Sequence, residues 1–358
     1  MIPGYGISDA RTFLLLAALI LLIPLLGLAI YRIGNATLAR VLAWALVFCG
    51  VTLTIQLSFT QPAGSRMIYI ITALLWSMKC VVATEAKRTD LVSLSTTQYL
   101  SFSMLWFGMR PSPFRHLPSR PLPEVRHYLN KATIRIGLGL ALFFTAYVIW
   151  HLNDASGSVP RSWPGSRDLV PYQKPGLSAS TASFSRTVGA TLFLLPALSL
   201  LVHFGLFNVL TAFWRNLGVP CTSLFNTPLI STSLSEFWGR RWNLAFSEMT
   251  ALAIFRPLRS YLGKGIATAT AFLFSGLLHE LAISVPVNSG YGLPMLYFTL
   301  HGFAMFVEQW LKARGNKLLQ ETWPGRLWTA CWIFLPLPLL FHIRFLEGCV
   351  WPLIDWTL

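Results

Sequence analysis

The chain has 358 residues, of which 54% are hydrophobic and only 11% charged. Soluble globular proteins carry about 25% charged residues, so a water-facing surface is excluded and the composition is that of an integral membrane protein. The formal net charge of +15 does not point to nucleic acid, because the charges are gathered in particular loops.

Runs of about 17–25 apolar residues can cross a bilayer as helix, since a helix satisfies its own backbone hydrogen bonds. Eight runs qualify, at residues 12–31, 38–59, 67–84, 132–152, 187–209, 265–285, 291–311 and 328–347. The first is read as a retained span, because no small-x-small cleavage site follows it. Segment 91–109 is long enough to cross but rich in Ser and Thr. It is expected to be interfacial or partly buried, and it makes a ninth span if it crosses. The fold class is therefore an all-α polytopic membrane protein of about eight transmembrane helices, nine at most. No internal repeat and no soluble domain interrupts residues 1–358, which read as a single membrane-embedded domain.

The connections alternate in charge. Arg32 and Arg40 flank the first; Lys87, Arg88, Arg110, Arg115, Arg120, Arg126, Lys131 and Arg135 crowd the third. Arg215, Arg240, Arg241, Arg256, Arg259 and Lys264 lie in the fifth, and Lys312, Arg314, Lys317 and Arg326 in the seventh. Basic odd-numbered connections belong in the cytoplasm by the positive-inside rule. The uncharged link "PVNSG" (286–290) then falls on the opposite side with both termini. The sequon Asn35-Ala36-Thr37 lies on the cytoplasmic side and is expected to stay unmodified. "RPSPFRHLPSRPLPEVRH" (110–127) reads as a loop resting on anionic headgroups. The Ser/Gly/Pro-dense loop 153–186 weakens the charge pattern; a lid is one reading of it, with no chemistry to assign. Five scattered cysteines indicate neither a disulfide framework nor a zinc site.

Two stretches break the apolar pattern. From Arg215 to Lys264 charge recurs too often for a span, so short interfacial or re-entrant helices lining a cavity are expected. Within it, "SEFWGRRWN" (235–243) gathers Trp238, Arg240, Arg241, Trp242 and Asn243. A Trp/Arg interfacial anchor accounts for the tryptophans and arginines but not for Asn243. Shortly after, "ATATAFLFSGLLHELAISV" (267–285) carries His279 and Glu280 inside an apolar run. Ionisable groups there are expensive and are functional candidates by default. Ser275, four residues before His279, shares its face, with Gly276 leaving room beside it; Glu280 is turned by about 100°, placed to orient a neighbour or to pair with an arginine. Histidine is the side chain best poised to take a proton near neutral pH. The alternative is a buried histidine holding a backbone carbonyl. Of the other six, His116, His127 and His151 sit in or at the edge of loops, while His203, His301 and His342 lie inside spans and read as packing or polar-cavity residues, with His301 in "TLHGF" the best placed of the three.

Several membrane chemistries lack their parts. No two of the seven histidines lie within five residues, as di-iron clusters need, and Asp residues are too sparse to hold a magnesium diphosphate. A G-x-S-x-G elbow is absent. One histidine, one asparagine and a basic mouth fit acyl transfer from a CoA thioester to an alcohol. The base takes the hydroxyl proton, a polar donor steadies the oxyanion, and arginines meet the anionic CoA head.

"SLSEFWGRRWN" (233–243), "FRPL" (255–258) and "ATAFLFSGLLHE" (269–280), with Asn243 and His279 separated by 36 positions, resemble the wax synthase-like branch of the membrane-bound O-acyltransferases. The resemblance is specific over residues 225–285, the motif core, and general elsewhere. It implies that His279 is the catalytic base and Asn243 the second polar residue of the site. Trp238, Arg240, Arg241, Trp242 and Glu280 would shape the site or the acyl-CoA path, with Ser275 on the histidine's face. It implies an endoplasmic-reticulum membrane, acyl-CoA as co-substrate with no tightly bound cofactor or metal, and a tunnel where it meets a lipophilic alcohol. Likeness to fungal natural-product members implies acetyl transfer from acetyl-CoA to a terpenoid or meroterpenoid hydroxyl in secondary metabolism. Two alternatives stay open: a long-chain wax ester or sterol ester synthase, and a non-catalytic lipid transporter or binder.

Overall fold

The computed structural model describes residues 2, 4–117, 119–152, 177–315 and 322–356. These residues are helical, with no strand among them. Six helical runs are long and apolar enough to cross a membrane: α1 (Ala10–Arg32), α2 (Ala36–Leu57), α3 (Ala63–Thr89), α5 (Val125–His151), α6 (Ser185–Asn216) and α7 (Leu244–Val287). Between α3 and α5 lies the short α4 (Thr96–Leu105). After α7 come α8 (Leu293–Ala313) and the pair α9 (Trp323–Leu340) and α10 (Ile343–Leu353), bent by 66°. Counting the bent pair as one span makes seven.

The count falls short of eight for physical reasons. The run at 291–311 does form α8, but His301, Glu308 and Gln309 keep it from being apolar enough to count. The run at 328–347 is broken where Phe341 and His342 leave the helix. Segment 91–109 forms only the ten-residue α4, about 15 Å long, with Tyr99 and Phe102 fully buried. It is partly buried and does not cross. Most of loop 153–186 lies outside the described residues.

Side chains on the outer helices show what solvent they expect. Leu14, Phe48 and Phe144 are 65%, 69% and 66% exposed, a face that suits lipid and not water. By contrast, 61% of the most apolar stretch of α3 is buried, against 28% for α1 and 33% for α2. The central helix of the N-terminal bundle is thus α3. Asp9 caps α1 by accepting from Thr12 N at 2.7 Å, and Asn35 of the sequon caps α2 by accepting from Leu38 N at 3.0 Å.

The connections converge on two ends of the molecule. At one, Ser8 N donates to Gln61 at 3.1 Å, Arg66 donates to the Pro286 carbonyl at 2.9 Å, and the Tyr5 hydroxyl donates to the Cys349 carbonyl at 2.5 Å. At the other, Arg40 pairs with Glu85 at 2.5 Å, Arg256 with Asp90 at 3.3 Å, Arg110 with Glu248 at 3.1 Å and Arg215 with Glu124 at 3.0 Å. Arg66 and Asp90 bracket α3, whose 27 residues span about 40 Å. The first, third and fifth connections therefore share one basic end.

The 44 residues of α7 would measure about 66 Å if straight, twice a bilayer's apolar thickness. The run bends at Gly263, whose φ of 75° and ψ of 171° are not helical, and π turns occupy Ala251–Phe255 and Glu280–Ser284. Farther along, α7 crosses α8 closely. A Cβ on Gly276 would lie 2.6 Å from Met295 Sδ and 3.0 Å from its Cα, so glycine there sets the approach of the two helices. Gly276→Val is expected to destabilise the fold by about 1–3 kcal/mol, seen as a lower melting temperature in detergent. Gly265→Ala, with nothing within 4 Å of the added methyl, should leave the melting temperature unchanged or higher.

Candidate active site

The turn that carries the tryptophans starts at a cap. Ser233 accepts from Glu236 N at 3.1 Å, and the Glu236 carboxylate accepts from Thr232 N at 2.9 Å, a close relative of the S-x-x-E capping box. Helical turns follow over Leu234–Glu236 and, as a π turn, over Phe237–Arg241. Arg241 Nη2 pairs with Glu236 at 2.6 Å, and its Nη1 donates to Thr227 Oγ1 at 3.1 Å. Burial pushes the Glu236 carboxyl up, but the hydrogen bonds from Thr232 and Arg241 outweigh it and hold the group below its ordinary range. This pairing therefore survives through the usual carboxylate range and is lost only as the pH falls below it. Arg241 is thus a strut of the turn. Arg240 is exposed and has no ion pair among the described residues.

Trp242 packs inward, stacked on Phe237 with centroids 5.5 Å apart and edge-on to Phe225 at 5.0 Å. Asn243 adopts the left-handed conformation, φ 43° and ψ 62°, and caps α7: its Oδ1 accepts from Phe246 N at 3.3 Å. Asparagine tolerates this backbone better than most residues and is a good cap. Among the described residues no hydrogen bond joins Asn243 to His279. The link runs through Phe246, whose ring lies 5.4 Å from the imidazole.

His279 sits near the end of α7 with Nδ1 2.7 Å from the Ser275 carbonyl. A carbonyl only accepts, so Nδ1 carries the proton, and the neutral ring presents its lone pair at Nε2. The ring rests on Phe298 of α8 at 4.2 Å. Beside it is a cavity of about 200 Å³, walled by Trp238, Phe246, Phe272, Ser275, Phe298 and Met305 among others. His279 adjoins this cavity through Ser275, Phe246 and Phe298. A second cavity of about 250 Å³ lies at the basic end, lined by Asp90, Arg110, Glu248 and Arg256; Ala251 contributes to both.

Glu280 turns away from its neighbour. Its Oε1 accepts from Gly292 N at 2.8 Å and Met295 N at 3.0 Å, so it caps the start of α8. The sequence placed it off the His279 face, and its partners are backbone amides and not an arginine.

Three residues were not picked out from the sequence. Glu308 of α8, buried, accepts from Leu234 N at 2.6 Å, Ser235 N at 3.2 Å and Trp328 Nε1 at 3.0 Å. It ties α8 to the tryptophan-bearing turn. Lys79 of α3, fully buried, donates to the Gly108 carbonyl and lies 3.9 Å from the centre of the Phe102 ring. Arg110 lines the basic cavity, although its loop read only as a headgroup contact. The signal for the first two was a charge inside an apolar run, the criterion that singled out His279. Among the described residues no three His, Cys, Asp or Glu side chains converge as metal ligands.

This geometry falls within one recognisable segment. Residues 221–300 match the Membrane bound O-acyl transferase family. The matched family segment holds the capped turn, Asn243, His279, Glu280 and Phe298, and stops just before His301 and Glu308. The same chain is similar to "Probable long-chain-alcohol O-fatty-acyltransferase 6" of Arabidopsis thaliana, 35% identical over 142 residues, which cover 34% of this chain and 40% of that one. The long-chain-alcohol O-fatty-acyltransferase of Simmondsia chinensis is 33% identical over 137 residues, 34% of this chain and 39% of its own. Acyl-CoA–sterol O-acyltransferase 1 of Arabidopsis thaliana is 34% identical over 128 residues, 31% and 37% of the two chains. The chain thus spans about two fifths of the length of the curated relatives it matches.

Glu308→Ala removes the acceptor of two backbone amides and an indole, each buried donor left unpaired costing about 1–3 kcal/mol. A marked fall in melting temperature and detergent-extracted yield is expected, with Glu308→Gln retaining part of both.

Proposed function

We propose that this protein is a membrane-bound O-acyltransferase that moves an acyl group from acyl-CoA to the hydroxyl of a lipophilic alcohol. The observation that carries the reading is the His279 tautomer: Nδ1 is committed to the Ser275 carbonyl, which leaves the lone pair on Nε2 of a ring whose neighbours Ser275, Phe246 and Phe298 line an apolar cavity. In the reaction Nε2 takes the hydroxyl proton as the oxygen bonds to the thioester carbon. The carbon–sulfur bond then breaks and the CoA sulfur leaves, receiving that proton from the imidazolium. Asn243 uses Oδ1 as a cap, so its amide NH₂ is the group left to donate to the developing oxyanion. Ser275 fixes the ring, Glu280 fixes α8 beneath it, and Trp238 walls the cavity. Trp242 and Arg241 hold the turn together, and the unpaired Arg240 faces the route of the CoA head.

The basic end is assigned to the cytoplasm by the positive-inside rule, which presents Arg110, Arg240 and Arg256 to the anionic nucleotide of acyl-CoA. An endoplasmic-reticulum membrane suits that arrangement. The relatives' names speak for long-chain acyl groups, and a fatty acyl chain with a long-chain alcohol or sterol is the first reading of the substrates. Acetyl transfer to a terpenoid alcohol is a second reading, favoured by one observation: the cavity's 200 Å³ falls below the ~300–1,000 Å³ usual for larger ligands.

Microsomes containing wild type or His279→Ala, given labelled palmitoyl-CoA or acetyl-CoA with fatty, sterol and terpenoid alcohols, test the proposal by mass spectrometry of the lipids. Ester formation by the wild type should fall by about 10²–10⁴-fold in the variant at equal amounts of folded protein. Full activity in His279→Ala removes the proposed base, and no ester from any wild-type pairing turns the protein into a lipid transporter or binder. A second comparison separates the two duties of Asn243. As a cap alone, Asn243→Gly should behave nearly as wild type and Asn243→Ala lose about 1 kcal/mol of stability. As an oxyanion donor, both variants lose turnover alike.

A further inference from the structure

His301 of α8 is fully buried, and its Nε2 lies 2.7 Å from the Trp332 carbonyl. The carbonyl only accepts, so Nε2 holds the proton and Nδ1 is left as a lone pair. Among the described residues that Nδ1 has no partner, and neither has the indole Nε1–H of Trp238. The two rings are in contact, with centroids 5.4 Å apart and planes tilted by 57°. One orphan is a donor and the other an acceptor. Buried polar atoms without partners are rare, and these two are complementary, so a single group that reached both would satisfy both.

Such a group must accept one hydrogen bond and donate another, which is what a hydroxyl does. A carbonyl, carboxylate or ester oxygen satisfies the indole and leaves the imidazole empty; an ammonium does the reverse. Trp238 belongs to the wall of the cavity next to His279. Phe298 touches all three rings, at 4.2 Å from His279, 5.6 Å from Trp238 and 6.4 Å from His301. The Trp238–His301 pair is therefore a neighbour of the proposed base, on the same apolar platform.

Proton counting decides which hydroxyl it takes. The reacting hydroxyl has one proton, and His279 Nε2 receives it. A hydroxyl held between Trp238 and His301 gives its proton's hydrogen bond to Nδ1. One hydroxyl cannot serve both lone pairs at once. The geometry points to a subsite for a second hydroxyl of the acceptor, held by Trp238 Nε1 and His301 Nδ1, so that the preferred alcohols are apolar molecules bearing two hydroxyls. This rests on the acyltransferase reading and adds a specificity determinant to it, with His301 as a substrate-binding residue.

The test uses microsomal wild type, Trp238→Phe and His301→Phe, with palmitoyl-CoA or acetyl-CoA as donor, whichever wild type uses. The acceptors are 1-dodecanol and a series of dodecanediols with hydroxyls at increasing separation. The quantity read is the ratio of KM for 1-dodecanol to KM for each diol. In wild type at least one diol should show a ratio of about ten, the value of one well-made hydrogen bond. The ratio for that diol should fall to about one in either variant, whatever happens to absolute turnover. Because each variant reads the same ratio, one that fails to fold leaves the other to decide. Wild-type ester formation with no diol preferred, as a resident water between the rings would give, overturns the subsite and leaves the acyltransferase reading standing. A preference that persists in the variants also overturns it. No ester from any acceptor overturns both.

Discussion

A carboxylate buried in an apolar helix is the constraint on which the rest of the site depends. Glu280 is buried, and its Oε1 takes the free amides of Gly292 and Met295 at the start of α8, while Oε2 has no hydrogen-bond partner among the described residues. That one contact fixes where α8 begins against α7. Gly276, one turn earlier, lets the two backbones close together at Met295. With α8 set, Phe298 comes to rest under His279, and Ser275 settles which imidazole nitrogen is free. Glu308 repeats the device near the other end of α8, meeting the first amides of the tryptophan-bearing turn. Two carboxylates on neighbouring helices thereby hold the walls of the cavity, and the histidine is supported between them.

Charge organises the molecule on a larger scale as well. The basic first, third and fifth connections converge at one end, where several of their arginines pair with Glu85, Asp90, Glu124 and Glu248. Arg240 is exposed and has no ion pair among the described residues. A chain with so few charges gathers many of its cations in connections and places buried carboxylates such as Glu280 and Glu308 where they join helices.

Much of this was legible in the sequence. Long apolar runs announce helices that lipid can solvate, and six of the eight expected runs coincide with helices long and apolar enough to cross a membrane. His279 stood out as an ionisable group inside one of them, and the step of about 100° from His279 to Glu280 puts the two side chains on different faces. Other features depend on tertiary partners that periodicity does not carry. The run at 291–311 forms α8, but it is a helix held by its polar residues and not by apolarity alone. The bend between α9 and α10 falls at Phe341 and His342, with no glycine to announce it. Arg241 and Arg240 look equivalent in "GRRWN", yet one is bound to Glu236 and the other has no ion pair among the described residues. Asn243 reads as chemistry in the motif, while its left-handed backbone and its cap to Phe246 show a structural duty that the letters alone do not distinguish.

The most direct measurement is a structure, by electron cryomicroscopy in lipid nanodiscs, of the protein bound to a non-hydrolysable thioether analogue of acyl-CoA. The account predicts the reacting carbon beside the Trp238–Phe298 cavity, close enough for an alcohol oxygen to reach both it and His279 Nε2 at about 3 Å, with the nucleotide among Arg110, Arg240 and Arg256. An analogue bound with its acyl group elsewhere, or with its nucleotide at the opposite end of the molecule, would contradict it.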